Sequence, residues 1–357
     1  MLLRSRFWVG LSMFALTACQ TTKTDPVQSE AKIPCWLQSP VSSHQIGFIG
    51  TAAPFSATLN GSLIASRQRA AARLTEYYGF PNVDQEIENL PAEHTQLLLP
   101  NGQTLFFSMP YTTSDTLYTY ANTQPIDKNK WCKEINCNFS LCEPAWLCSG
   151  ENNDVIGVSY YTALSHKQLP MTGVNAKALA GYLDQARVNM QEHYFESYSA
   201  EHHQTQFSRQ GQVTGSVYQQ PLLMTKSCRY GATIFANYQI KHTDTKLKTA
   251  QNWRKIKQHQ GRSIVMGNFG EDGTIAPDNL ISSAIKYAIR DALVELAKNK
   301  GLTVSASSTL LNENGRYFLS SAHFEIKQIV SGQLVDIQVN YKEGFPVVYV
   351  WLLEGKS

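Results

Sequence analysis

The sequence predicts an α+β protein with up to three repeated modules, each a strand, an alanine-rich helix and an antiparallel sheet. Three observations predict it. The segment PCWLQSPVSSHQIGFIGTA at 34–52 returns as PAWLCSGENNDVIGVSYYTA at 144–163. An alanine-rich stretch with apolar residues at helical spacing follows each copy, and a third lies near the C-terminus. Each helical stretch is in turn followed by runs that alternate apolar and polar residues with period two.

The chain opens MLLRSRFWVGLSMFALTACQ, with Arg4 and Arg6 ahead of an apolar run from Phe7 to Leu16. That order is a secretory signal, and the run is too short to span a bilayer as a helix, which takes ~20 residues. Leu16-Thr17-Ala18-Cys19 fits a bacterial lipobox, which predicts a signal peptide at 1–18 and lipidation of Cys19. Gln20, rather than Asp, follows the cysteine; by resemblance to the sorting rules of Gram-negative lipoproteins this implies the outer membrane, periplasmic face. Residues 19–33 are polar and without period, a lipidated tether. No later apolar stretch is long enough for a spanning helix.

The first module is assigned to 34–123. Leu63, Ala70, Leu74 and Tyr78 step along one helical face that Gly79 would end, and QTLFFSMPY and TLYTYANT read as strands. A cysteine-rich linker follows at 124–143. The second module, 144–242, places Leu179, Tyr182, Leu183, Ala186 and Met190 on a helix, with strands in GSVYQQPLLM and GATIFANYQI. After a linker at 243–262, the third module occupies 263–357. There Ile281, Ala284, Ile285, Ala288, Ala292 and Leu296 form one stripe, with Asp278 as N-cap and Gly301 closing the helix. Strands HFEIKQIV, QLVDIQVNY and PVVYVWLL follow, parted by Gly332 and Glu343-Gly344. Ile337, Val339 and Tyr341 alternate with polar residues, and the wholly apolar run Val347–Leu353 reads as a central strand. In this reading Ile46-Gly47-Phe48 and Ile156-Gly157-Val158 are the same first core strand, entered past Trp36 and Trp146; Trp253 precedes the third.

The chain carries 31 basic and 28 acidic residues, and loss of Arg4 and Arg6 with the signal leaves 29 basic. Near-neutrality argues against a nucleic-acid partner, which requires a clustered basic face. Apart from Cys19, six cysteines remain: Cys35, Cys132, Cys137, Cys142, Cys148 and Cys228. In an oxidising periplasm an even number predicts disulfides, with Cys228 a candidate partner for Cys35; the rival, a four-thiolate zinc site, lacks its C-x2-C knuckles.

P-x-W-L, a gap, I-G-x-x-x-T/A, an alanine- and arginine-rich helix and a closing sheet resemble the Lpp-twenty-type outer-membrane lipoproteins, which include flagellar basal-disk and flagellar-assembly lipoproteins. The resemblance covers residues 34–78 and 144–190, and only the architecture of 263–353. It implies an outer-membrane lipoprotein with a non-catalytic, structural or assembly role, often multimeric. Members typically carry one module, whereas this chain carries three and a cysteine-rich insert. The family supplies no active-site residues.

Signatures of chemistry are sparse. Glu201-His202-His203 with His193 is the densest histidine group, but adjacent histidines point to different sides and no H-E-x-x-H occurs. Gly47 to Gly50 is followed by a helix too late, and without the lysine, for a phosphate loop. No G-x-S-x-G elbow is present; Cys228 with His242 is the one thiol arrangement, and Glu192/Glu196 form a pair at helical spacing. The expectation is therefore no enzyme, no catalytic residue, no metal and no cofactor. Tyrosines in FFSMPYTTSDTLYTY and VSYYTA raise peptidoglycan or another glycan as the alternative ligand. The expected partners are the membrane, through the lipid, and envelope proteins or further copies of the chain.

Overall fold

The computed structural model describes residues 32–355 apart from 43–44, 128, 150–153, 161, 163, 199–202, 241–251 and 313–315. The expected signal peptide and Cys19 lie outside the described residues. The first described element is β1 (Lys32–Pro34), where Ile33 is buried, so Lys32 and Ile33, the last two residues of the expected tether, belong to the folded body. Next come β2 (Gln45–Ala52), helix α1 (Gly61–Tyr78), β3 (Thr104–Phe107) and β4 (Leu117–Asn122). Strand β4 returns antiparallel beside β2, setting Gly47 opposite Asn122 and Ala52 opposite Leu117. β5 (Trp131–Lys133) then pairs with β1.

β6 (Asp154–Ser159) leads to α2 (Gln168–Asp184), then to a long hairpin of β7 (Ala186–Tyr198) and β8 (His203–Gly215). β9 (Leu222–Tyr230) and β10 (Thr233–Ile240) follow, and β10 closes on β6 with Ala236 opposite Gly157. β11 (Arg262–Phe269) leads to α3 (Ile281–Lys300) and a second long hairpin, β12 (Thr303–Asn312) with β13 (Arg316–Val330). Finally β14 (Gly332–Lys342) and β15 (Phe345–Glu354) form, and β15 closes on β11 with Val350 opposite Gly267. The fold is mixed α and β, with several antiparallel sheets.

Each helix lies directly on the first strand before it. A Cβ at Gly50 would overlap the Ser66 carbonyl of α1, one at Gly157 the Thr172 carbonyl of α2, and one at Gly267 the Ala288 carbonyl of α3. Alanine lines the helix side of the contact: Ala70, Ala176, Ala288 and Ala292 are completely buried. In the first unit the helix-facing glycine is thus Gly50, not Gly47. Gly47 stands three positions away, on the opposite face by the period of a strand, against the ring of Tyr120.

The helix ends differ in part from expectation. Gly79, at φ 68°, closes α1 with its N–H on Glu76 O and that of Phe80 on Thr75 O. Tyr78 is exposed and stacks on Phe80, so the buried face runs instead through Ser66, Ala70 and Leu74. Asp278 lies two residues before the N-cap Leu280; its carboxylate accepts from Leu280 N–H at 3.0 Å and Ser283 Oγ at 2.6 Å. Gly301 follows α3 in extended backbone.

The largest departure is at α2, which ends at Asp184, so that Ala186 and Met190 belong to strand β7. A spacing of four satisfies a helix and a strand alike, and Val188 between them decides for the strand: all three are buried on one face. Ile337 and Val339 are buried as their alternation predicts, whereas Tyr341 at the turn is exposed. β15 is a central strand between β11 and β14. The main core gathers under α2 and α3, and a smaller one under α1.

The glycine contacts give a direct test. Gly50→Ala, Gly157→Ala and Gly267→Ala are each expected to lower stability by about 1–3 kcal/mol through overpacking, read from the midpoint of urea unfolding.

Candidate functional site

Two long hairpins, leaving the ends of α2 and α3, join into one four-stranded sheet in the order β8-β7-β13-β12. All three pairings are antiparallel; Met190 stands opposite both Gly211 and Ile326. At the base, Val188, Met190, Val213 and Ile326 are buried in the main core. Beyond them side chains of both faces become exposed. One face is mainly polar, carrying Gln191, His193, Gln210, Ser305 and Glu325 at matching register positions, with Phe195 as an exposed aromatic among them. The other carries Tyr194, Phe207, Ala306 and Ala322 in one row. Among the described residues, β8 and β12 have no outer neighbour.

A half-buried ion network around the buried Glu192 ties this sheet to the body. Glu192 of β7, with only 6% of its side chain exposed, lies 3.0 Å from Lys298 Nζ and 3.1 Å from Arg209 Nε, the latter without hydrogen-bond alignment. Arg209 of β8 donates to Asp291 of α3 at 2.6 Å, and Asp291 also accepts from the backbone N–H of Asn268 on β11 at 3.0 Å. Lys298 reaches Glu295 at 2.9 Å. Burial opposes the charge of Lys298, but its hydrogen bonds to Glu295 and Glu192 outweigh it and hold the ammonium above its ordinary value. Glu192 and Glu196 are thus strand residues, and their proximity is not that of a helical pair. Glu196 faces His203 at 2.8 Å.

The histidines divide. His202 and Glu201 lie outside the described residues, as do His44 and His242. His203 and His193 project from opposite faces of the sheet, so they form no common site. His193 instead meets His323 across the β7–β13 junction, Nδ1 to Nδ1 at 3.2 Å. Among the described residues no group of three His, Cys, Asp or Glu side chains is arranged to hold a metal ion.

All six cysteines are bonded, as Cys35–Cys132, Cys137–Cys228 and Cys142–Cys148. Cys228 therefore pairs with Cys137, not with Cys35, which meets Cys132 because β1 and β5 are neighbours. No thiol is left in this set for zinc or nucleophilic attack. The bridges close separations of 97, 91 and 6 residues. In the chain-entropy account the two long ones each contribute about 4–5 kcal/mol and the short one roughly 2. The cysteine-rich segment is also docked: Cys137 N–H donates to Arg229 O, and Ile337 N–H to Cys148 O.

Beside it is a cleft of about 290 Å³ lined by Tyr111, Asp115, Tyr118, Glu134 and Arg229. Burial opposes the charge of Asp115, yet hydrogen bonds with Thr113, Ser165 and Thr116 and the charge of Arg229 hold its carboxyl below the usual range. Tyr111 sets its ring edge-on to Trp131 at 6.1 Å, and Trp131 is 52% exposed. Most tyrosines read as a sugar platform are structural instead. Tyr118 and Tyr120 are buried; Tyr120 donates to Pro40 O, and burial pushes its hydroxyl up to about 12. Tyr160 accepts from Ser282 N–H at 3.2 Å.

No family model matches the chain, and no curated protein and no solved structure was found to be similar to it.

The hairpin sheet is the feature that sequence reasoning missed. QTQFSRQGQV alternates with period two, but its alternation sets Phe207 and Val213 among glutamines and serines. If the network anchors the sheet, Lys298→Ala should cost about 2–3 kcal/mol by leaving Glu192 short of a partner. Glu295→Ala, at a more exposed carboxylate, should cost under about 1 kcal/mol. Paired urea unfolding curves check the difference.

Proposed function

We propose that this chain is a lipoprotein of the bacterial outer membrane with a non-enzymatic structural or assembly role. In this reading Cys19 is the lipid anchor on the periplasmic face, and the body at Lys32 and beyond offers surfaces to other envelope proteins. The single observation that carries it is the hairpin sheet: four strands held firmly at the base, with both outer edges unpaired among the described residues. Such edges bind by strand addition and need no pocket. The resemblance to Lpp-twenty-type lipoproteins supports the same role, and the flagellar members of that family make the flagellum one setting for it.

We also infer that the body comprises three related modules. Supporting this, three first strands each carry a glycine under a helix and pair with a closing strand, β2 with β4, β6 with β10 and β11 with β15. The cysteine-rich segment and its bridges stiffen the join of the first two.

A second reading, glycan binding, is favoured by one observation, the exposed Trp131 edge-on to Tyr111, whose side chain also lines the cleft that holds Asp115 and Arg229. Aromatic faces stack on sugar rings while such charges take hydroxyls.

One measurement tests the anchor and a second separates the readings. Cys19→Ser should move the protein from the membrane to the soluble fraction on cell fractionation; retention would remove the anchor from the proposal. In co-sedimentation with purified peptidoglycan, the assembly reading expects no binding. Binding that Trp131→Ala reduces by about tenfold, a loss of ~1.4 kcal/mol, would put the glycan reading first.

A further inference from the structure

We propose that the partner taken by the hairpin sheet is a second copy of this chain, β8 of one copy pairing antiparallel with β12 of the next, so that copies join head to tail. The proposal rests on the assembly reading and names its partner.

Edge chemistry comes first. Exposed edge strands in folded proteins usually carry lysine, proline or a bulge that prevents pairing. Strand β12, from Thr303 to Asn312, is ten residues of TVSASSTLLN, with neither a charge nor a proline. β8 has thirteen residues, and the charge of its arginine, Arg209, is committed to Asp291 and Glu192 of the same chain. Neither edge carries a residue of the kind that repels an incoming strand.

Strand direction comes second. With four strands joined by three antiparallel pairings, β8 and β12 run in opposite directions. Rotating a copy about an axis along the strands therefore sets its β8 antiparallel to the first copy's β12, and the junction repeats the hydrogen-bond pattern within the sheet. A foreign strand that added to one edge would create a new open edge. A copy supplies an edge of each kind, and a closed ring of copies leaves none.

The faces also match across such a junction. Ser305 of β12 and Ser208 of β8 lie on the polar face, at the register positions of His193 and His323. On the opposite face Phe207 is 59% exposed at one edge and Val304 is 53% exposed at the other. Joining β8 to β12 brings these apolar side chains together and continues both faces. A slip of one residue would set polar against apolar.

The test uses the full chain in its native membrane, with a photo-cross-linking phenylalanine derivative in place of Phe207 or, separately, Val304, and mass spectrometry of the adducts. This leaves the native disulfides untouched. The expected result is an adduct between two copies, from position 207 into β12 and from position 304 into β8. Ser305→Lys with Ser307→Lys should lower its yield by about tenfold, a change of ~1.4 kcal/mol in pairing. Adducts that join β8 to β8, or that contain only other envelope proteins, would overturn the head-to-tail pairing while leaving the assembly role standing. A strictly monomeric chain with no adduct to any protein would overturn both.

Discussion

The distance between helix and strand is set, in all three places, by the absence of a side chain. Gly50, Gly157 and Gly267 let carbonyls of the helices lie where a Cβ would otherwise be, and alanines on the helix side complete the approach. Contact this close has little room for larger residues, which is why the helices are alanine-rich along one stripe and mixed elsewhere. Such contact holds each helix close over its strand. One hairpin begins at Ala186, two residues after α2, and the other at Thr303, three residues after α3, so each arm is launched from a helix seated in this way.

Their meeting is made specific by charge. Val188, Met190, Val213 and Ile326 give the base of the sheet an apolar grip on the core, but apolar contact alone tolerates sliding. Glu192, Arg209, Asp291 and Lys298 are few and directional, and they link both strands of the first hairpin to the helix that launches the second. A shift of the sheet by one residue would turn Glu192 to the opposite face and strand the charges left behind. The result is an arm with one allowed register, a requirement for any surface that binds through its backbone edges.

Much of the body was legible in the sequence because its signals are local. The alanine stripe of α3, the apolar run of β15 and the αL glycine that ends α1 each follow from a short window of residues. The arm was not legible for the opposite reason. Apart from HFEIKQIV in β13, its strands are rich in Gln, Ser, Thr and His, and what joins the two local hairpins into one sheet is a pairing between segments more than a hundred residues apart, as His193 pairs with His323. Spacing also misled where two periods coincide, as at Ala186 and Met190, and where a strand carries two glycines, as at Gly47 and Gly50. The cysteines show a further limit. That they bond was legible from their even number, but which bonds form depends on strand neighbours, and Cys35 finds Cys132 only because β1 lies beside β5.

The connectivity of those bridges bears on how the chain is made. A chain that crosses a membrane N-terminus first presents its thiols in sequence order. Joining each to the next would give Cys35–Cys132 correctly, then Cys137–Cys142 and Cys148–Cys228, neither of which is native. Cys137 must instead stay open while Cys142 closes on Cys148, and wait until a further 91 residues have emerged. Unless oxidation is that slow, the wrong bonds form first and have to be exchanged through mixed disulfides. Export as proposed, with oxidation faster than emergence of the chain, would therefore call for a thiol-exchange helper as well as an oxidant, a demand written in the order of the cysteines.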